Sequence, residues 1–150
     1  MLKNKFAKKL AASMLVLGVV SGAILTNVKA ANTADHYWQF YKELGNAGNH
    51  YIPELRSKTN TTPAYVKISY WEGKSGDYVQ MWVVDQDHNS LQGGIPVKTV
   101  SGNGQYSIHS NAYETIGNSP VTIGFYAPYR NFRSWSASGV WSPDSTRNYN

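Results

Sequence analysis

From about residue 36 onward, apolar and polar residues tend to alternate with a period of two, the spacing that sends neighbouring side chains to opposite faces of a β-strand. In Ala64–Trp71 (AYVKISYW), Ala64, Val66, Ile68 and Tyr70 share one face, and Tyr65, Lys67, Ser69 and Trp71 share the other. Glu72–Asp77 (EGKSGD) reads as a turn. Tyr78–Val84 (YVQMWVV) then alternates again, with Val79, Met81 and Val83 opposite Tyr78, Gln80, Trp82 and Val84. Two such runs around a short Gly-containing connector predict a β-hairpin. Asp85–Ser90 (DQDHNS) predicts the next turn. Further strands are predicted at Ile95–Val100, where Pro96 marks an edge or a strand start, at Gln105–Ser110 after the turn SGNG, at Val121–Ala127 and at Ser134–Trp141. The last of these places Trp135, Ala137, Gly139 and Trp141 together. Tyr37–Leu44 is read as a strand because its aromatics are dense and Gly45–Asn49 breaks the run. Asn111–Ser119 has room for one helical turn. The pattern predicts an all-β fold, a small antiparallel β-sandwich of about six to eight short strands. Val66, Ile68, Val79, Met81, Val83, Ile123 and Phe125 are its expected core.

The first thirty residues follow a different rule. Lys3, Lys5, Lys8 and Lys9 precede the apolar run Leu10–Leu25, and Val28 and Ala30 supply the small residues of a cleavage site. This order of basic, apolar and small residues is that of a secretory signal. The run is shorter than the roughly 20 apolar residues of a membrane span. Residues 1–30 are therefore expected to be removed, leaving residues 31–150 as a single secreted domain in the extracellular space. With no cysteine there is no thiol to carry a lipid, and the polar end SPDSTRNYN offers no second membrane segment, so no permanent membrane anchor is expected.

Export changes the meaning of the charge. The whole chain carries a formal charge of +5. Five of its 14 Lys and Arg residues lie in the signal, which leaves nine bases against nine acids. A nucleic-acid binder usually shows a basic excess, and none survives cleavage, so no nucleic-acid partner is expected. Stability without disulfides must come from packing and the β ladder. All five tryptophans and all eleven tyrosines lie after residue 30.

Several stretches, in this order, resemble a family of small secreted Gram-positive proteins catalogued as domain of unknown function 2712: His36–Tyr41, Arg56–Lys67 (RSKTNTTPAYVK), ISYWEGKSGDYVQMWVV, VKTVSGNGQYSIHSNAY and SWSASGVWSPDS. The resemblance implies secretion and a small β domain, and it transfers no catalytic residue. Lys58-Thr59-Asn60-Thr61 and Ser138-Gly139-Val140-Trp141 match it best and are read as determinants of the fold. The layout is also similar, more weakly, to the lactococcin-type β-sandwich bacteriocins.

Few constellations carry chemistry. Asp85, Asp87 and Asn89 alternate like the opening of a Ca²⁺ loop, but the sixth and twelfth positions are Ser90 and Pro96 instead of Gly and Glu. The expected role of DQDHN is a turn held by its own side chains. His36, His50, His88 and His109 lack zinc-ligand spacing. There is no GxSxG elbow, and Glu43, Glu54, Glu72 and Glu114 show no pairing that suggests glycoside hydrolysis. No catalytic residue, metal or cofactor is assigned. Tryptophans on strand faces point elsewhere. Trp71 and Trp82 fall opposite the aliphatic faces of the predicted hairpin, which makes them candidates for a shared outward patch that contacts a partner. The sequence thus predicts a non-enzymatic extracellular protein, a bacteriocin-like factor or a binder of cell envelope or glycan. The alternative is a secreted hydrolase of cell-wall or environmental polymer.

Overall fold

A computed structural model of the chain describes residues 32–43, 48–128 and 134–149. The predicted export signal, residues 1–30, and most of the predicted loop Pro128–Arg133 lie outside the described residues. Nine strands and one short helix are present among them: β1 His36–Lys42, β2 Gly48–Tyr51, β3 Arg56–Ser57, β4 Ala64–Trp71, β5 Val79–Asp85, β6 Lys98–Val100, β7 Gly104–Ile108, α1 Ala112–Ile116, β8 Pro120–Ala127 and β9 Trp135–Ser142. All strand pairs are antiparallel. One sheet has the order β1-β9-β4-β7, and the other β2-β8-β5-β6 with β3 also on β8. The inner faces meet as a β-sandwich.

The core follows the predicted alternation. Val66, Ile68, Val79, Met81, Val83, Ile123 and Phe125 are all buried, joined by Trp38, Phe40, Trp135, Ala137 and Trp141. Trp38 lies against Phe125 at 5.0 Å between ring centroids, and Phe40 meets Trp135 edge-on at 5.3 Å. Buried aromatics of this size carry much of the packing energy.

The predicted hairpin does not form. β4 pairs with β7 and β9, whereas β5 pairs with β6 and β8. The connector Glu72–Tyr78 therefore passes from one sheet to the other. Alternation specifies which face a strand buries but not which strand lies beside it. A second departure lies within β4. Its register against β9 shifts between Ile68 and Tyr70, and such a β-bulge re-aims every side chain beyond it. Tyr70, expected beside Val66 and Ile68, turns outward and is 52% exposed. Trp71, expected outside, packs on Trp135 at 4.6 Å between ring centroids and joins the edge of the core.

The turn after β3 is bound to the end of the chain. Lys58 and Asp144 form a buried ion pair, and the Ser145 N–H donates to Thr62 Oγ1 at 3.1 Å. Asn60 Oδ1 accepts from the Thr62 N–H at 2.9 Å and so closes the turn.

Candidate functional site

The outer face of the second sheet carries the most organised surface. Its register places side chains in rows. Tyr51 of β2 and Trp82 of β5 both stand opposite Gly124 of β8. In the next row Asn49, Tyr126, Gln80 and Thr99 lie side by side across β2, β8, β5 and β6. Because Gly124 has no side chain, the Trp82 indole lies over it. A Cβ built on Gly124 would stand 2.8 Å from Trp82 Cε2. The glycine is thus the seat of the tryptophan.

His88 completes the row from the turn after β5. Its ring stacks on Tyr51, with centroids 3.8 Å apart and planes within 1° of parallel. To reach this position it adopts φ +63°, the left-handed region, which a non-glycine residue enters only at a cost. Asp85 holds that conformation. Its Oδ1 accepts from the N–H groups of Asp87 at 2.9 Å and Asn89 at 2.8 Å, and its Oδ2 accepts from Asn89 Nδ2 at 3.0 Å. The bond from the Asn89 amide, the local backbone bonds and nearby His88 hold the Asp85 carboxyl below its usual range. Both oxygens of this candidate Ca²⁺ ligand are therefore turned into the loop. Asp85, Asp87 and Asn89 form the side-chain-stapled turn, and no group of three or more His, Asp or Glu suited to a metal occurs among the described residues.

The result is a shallow trough of about 410 Å³ lined by Asn49, Tyr51, Gln80, Trp82, His88, Ser90, Val97 and Tyr126, a volume in the range of small-ligand sites. It has aromatic faces, amide and hydroxyl groups, and no carboxylate, lysine or arginine. Tyr51 and Trp82 are two strands apart, roughly 10 Å at ordinary strand spacing.

Of the two tryptophans singled out from the sequence, Trp82 lies in this trough and Trp71 does not. The two stand on different sheets, so the shared outward patch does not exist. Tyr51, Tyr126 and His88 were not legible as site residues. β2 begins inside the Gly45–Asn49 stretch that reads as a breaker, and His88 reaches Tyr51 only through the fold.

A second concavity, about 240 Å³, lies at the open end of the first sheet, and Asp35, Tyr65, Asp144 and Arg147 are among the residues lining it. Asp144 in it is committed. Burial pushes its carboxyl up, but hydrogen bonds from Lys58, Thr59 and Asn32 together hold it below the usual range. A glycoside hydrolase needs two carboxylates able to trade protons across one bond, and Asp144 is tied on both oxygens. Glu54 pairs with His36 at 2.8 Å, and Glu72 accepts from Ser136 Oγ at 2.8 Å.

A family model described as "Protein of unknown function (DUF2712)" matches residues 26–145. No curated protein matches the chain, and no solved structure does. By the extent of that match, the chain belongs to the DUF2712 family.

Proposed function

With membership of DUF2712 as the starting point, we propose that this chain is an exported, non-enzymatic binding protein whose trough on the second sheet holds an uncharged stretch of glycan, as found in the cell envelope or in environmental polysaccharide. The observation that carries the reading is the row Tyr51–Gly124–Trp82 with His88 stacked on Tyr51. Sugar rings present C–H groups on their faces, and these pack on the electron-rich faces of Trp and Tyr. Hydroxyls at the ring edges match Asn49, Gln80, Ser90 and Tyr126. The absence of basic residues from the lining selects against phosphate-rich polymers, which Lys and Arg would bind. The row spans a length suited to a disaccharide. The balanced charge after the signal favours the same conclusion, since no long-range field would draw the protein to an anionic surface. Export rests on the signal-like residues 1–30. A bacteriocin-like factor would belong to the same class, because it must first bind a target envelope, and growth inhibition by the purified protein separates that role from simple binding.

The test is retention on insoluble material. Purified protein incubated with isolated Gram-positive cell walls, and separately with insoluble neutral polysaccharides, should sediment with at least one of them. Trp82→Ala should remain in the supernatant while keeping a cooperative melting transition. Wild-type protein that sediments with none of these materials, or a folded Trp82→Ala that sediments as well as wild type, contradicts the proposal.

A further inference from the structure

The ion pair between Lys58 and Asp144 is unusual in its setting. Lys58 is 1% exposed and Asp144 0%. Lys58 Nζ stands 2.6 Å from Asp144 Oδ1 and also donates to the carbonyl of Thr62. The second carboxylate oxygen, Oδ2, accepts from the Asn32 N–H at 2.8 Å, the Thr59 N–H at 3.1 Å and Thr59 Oγ1 at 2.6 Å. The Thr59 N–H is also 3.4 Å from Oδ1. One oxygen therefore faces an amine, and the other sits among three donors. A buried ion pair of this kind contributes little net stability, because desolvating two charges offsets their attraction.

We propose that Lys58 and Asp144 condense into an intramolecular isopeptide bond, an amide joining Lys58 Nζ to Asp144 Cγ. Lysine enters as an ammonium and aspartate as a carboxylate. One proton passes from Nζ to Oδ1 along their hydrogen bond, leaving a neutral amine and a neutral acid. The Nζ lone pair then attacks Cγ. Charge collects on Oδ2, where the N–H groups of Asn32 and Thr59 and the Thr59 hydroxyl already point, an arrangement that stabilises a tetrahedral intermediate. A second proton moves from nitrogen to Oδ1. The Cγ–Oδ1 bond breaks and Oδ1 leaves as water. The third hydrogen stays on the amide nitrogen, on which Thr62 O already has a hold. No oxidant, reductant or cofactor enters the balance.

Two features favour the step over a lasting ion pair. Burial pushes Lys58 below the ordinary lysine range, opposed by Asp144 and Glu114, which favours the neutral amine. The hydrogen bonds on Asp144 hold its carboxyl low and oppose the neutral acid, so the neutral pair is a minor species through which the step passes. The fold also holds amine and carboxyl in one place, and such positioning is worth many orders of magnitude in rate for a two-group reaction. The product is a neutral amide whose C=O oxygen, Oδ2, keeps its donors, so two buried charges disappear. The bond would join positions 86 residues apart in a chain without cysteine. It would do what a disulfide does for other secreted domains, constraining the unfolded chain.

The test is the mass of the protein itself. Protein purified from full-length expression, denatured and digested with trypsin, should yield Ser57–Lys67 joined to Ser134–Arg147, one water lighter than the sum of the two, with cleavage after Lys58 blocked. Lys58→Arg, which keeps the charge pair but presents a poor nucleophile, should yield Ser134–Arg147 as a free peptide of its sequence mass. Wild-type protein that gives free Thr59–Lys67 and unmodified Ser134–Arg147 overturns the proposal. So does a cross-link to Asp144 that persists in Lys58→Arg.

Discussion

At the scale of the residue, two glycines do opposite work. Gly139 sits in β9 opposite both Trp38 and Ile68. A Cβ built there would stand 1.8 Å from the carbonyl oxygen of Lys67. The obstacle is backbone, which cannot swing aside. Gly139→Ala should therefore cost roughly 1–3 kcal/mol, the range for overpacking a close-packed site, read as a lowered midpoint in thermal or denaturant unfolding. An unchanged midpoint would mean that β4 and β9 do not approach as described. The atoms nearest a Cβ on Gly124 belong to the Trp82 indole, a side chain that can shift where backbone cannot. There the missing side chain serves the surface and not the core.

At the scale of the element, strand faces were legible and strand partners were not. Val79, Met81 and Val83 could be placed inward from alternation alone because period two maps directly onto the pleat. Trp135, Ala137 and Trp141 could be placed on one shared face, but not which way that face pointed; it is buried. The neighbours of β4 depend on long-range closure of two sheets, for which a local pattern carries no signal. The bulge in β4 was equally hidden, since one extra residue changes the face of Tyr70 and Trp71 without changing the composition of the run. The turn Asp85–Asn89 was legible in chemistry, as a loop stapled by its own side chains, but not in purpose, which is to bring His88 onto Tyr51. The bulge gives a direct contrast. Trp71→Ala removes a ring packed on Trp135 and should destabilise the fold by about 2–4 kcal/mol, near the lower part of the range for truncating aromatics in cores. Trp82→Ala should cost distinctly less, because its indole lies on the outer face. Equal losses in urea unfolding would contradict the placing of Trp71 at the core edge and of Trp82 on the outer face.

At the scale of the whole molecule, a histidine set against the aromatic side of the core shapes how the fold responds to pH. His50 points inward, with Phe40 edge-on at 4.9 Å. Its Nε2 is buried without a hydrogen-bond partner among the described residues. Burial lowers its pKa from the ordinary 6.5, and the nearby Glu43 only partly opposes this. The folded protein therefore takes up this proton later than the unfolded chain as pH falls. The stability contributed by neutral His50 is complete above pH 6.5, declines as pH drops through 6.5, and stops declining once the folded-state pKa is passed. Melting temperatures measured from pH 7.5 down to 4.5 should fall in the wild type and fall less in His50→Phe. Parallel curves for the two would place the acid sensitivity elsewhere.

The outer face of the first sheet is also rich in exposed tyrosine, with Tyr37, Tyr41 and Tyr70 at 65, 55 and 52%. Among the described residues it shows neither a glycine seat nor a stacked ring pair like those of the second sheet. The measurement that separates the two faces is a calorimetric titration of wild-type protein, Trp82→Ala and Tyr37→Ala with soluble fragments of whichever polymer retains the protein in sedimentation. Wild type and Tyr37→Ala should give saturable heat, and Trp82→Ala should lose at least tenfold in affinity, the change that about 1.4 kcal/mol produces. Binding that survives Trp82→Ala and disappears with Tyr37→Ala would put the site on the first sheet and rule out the trough of the second.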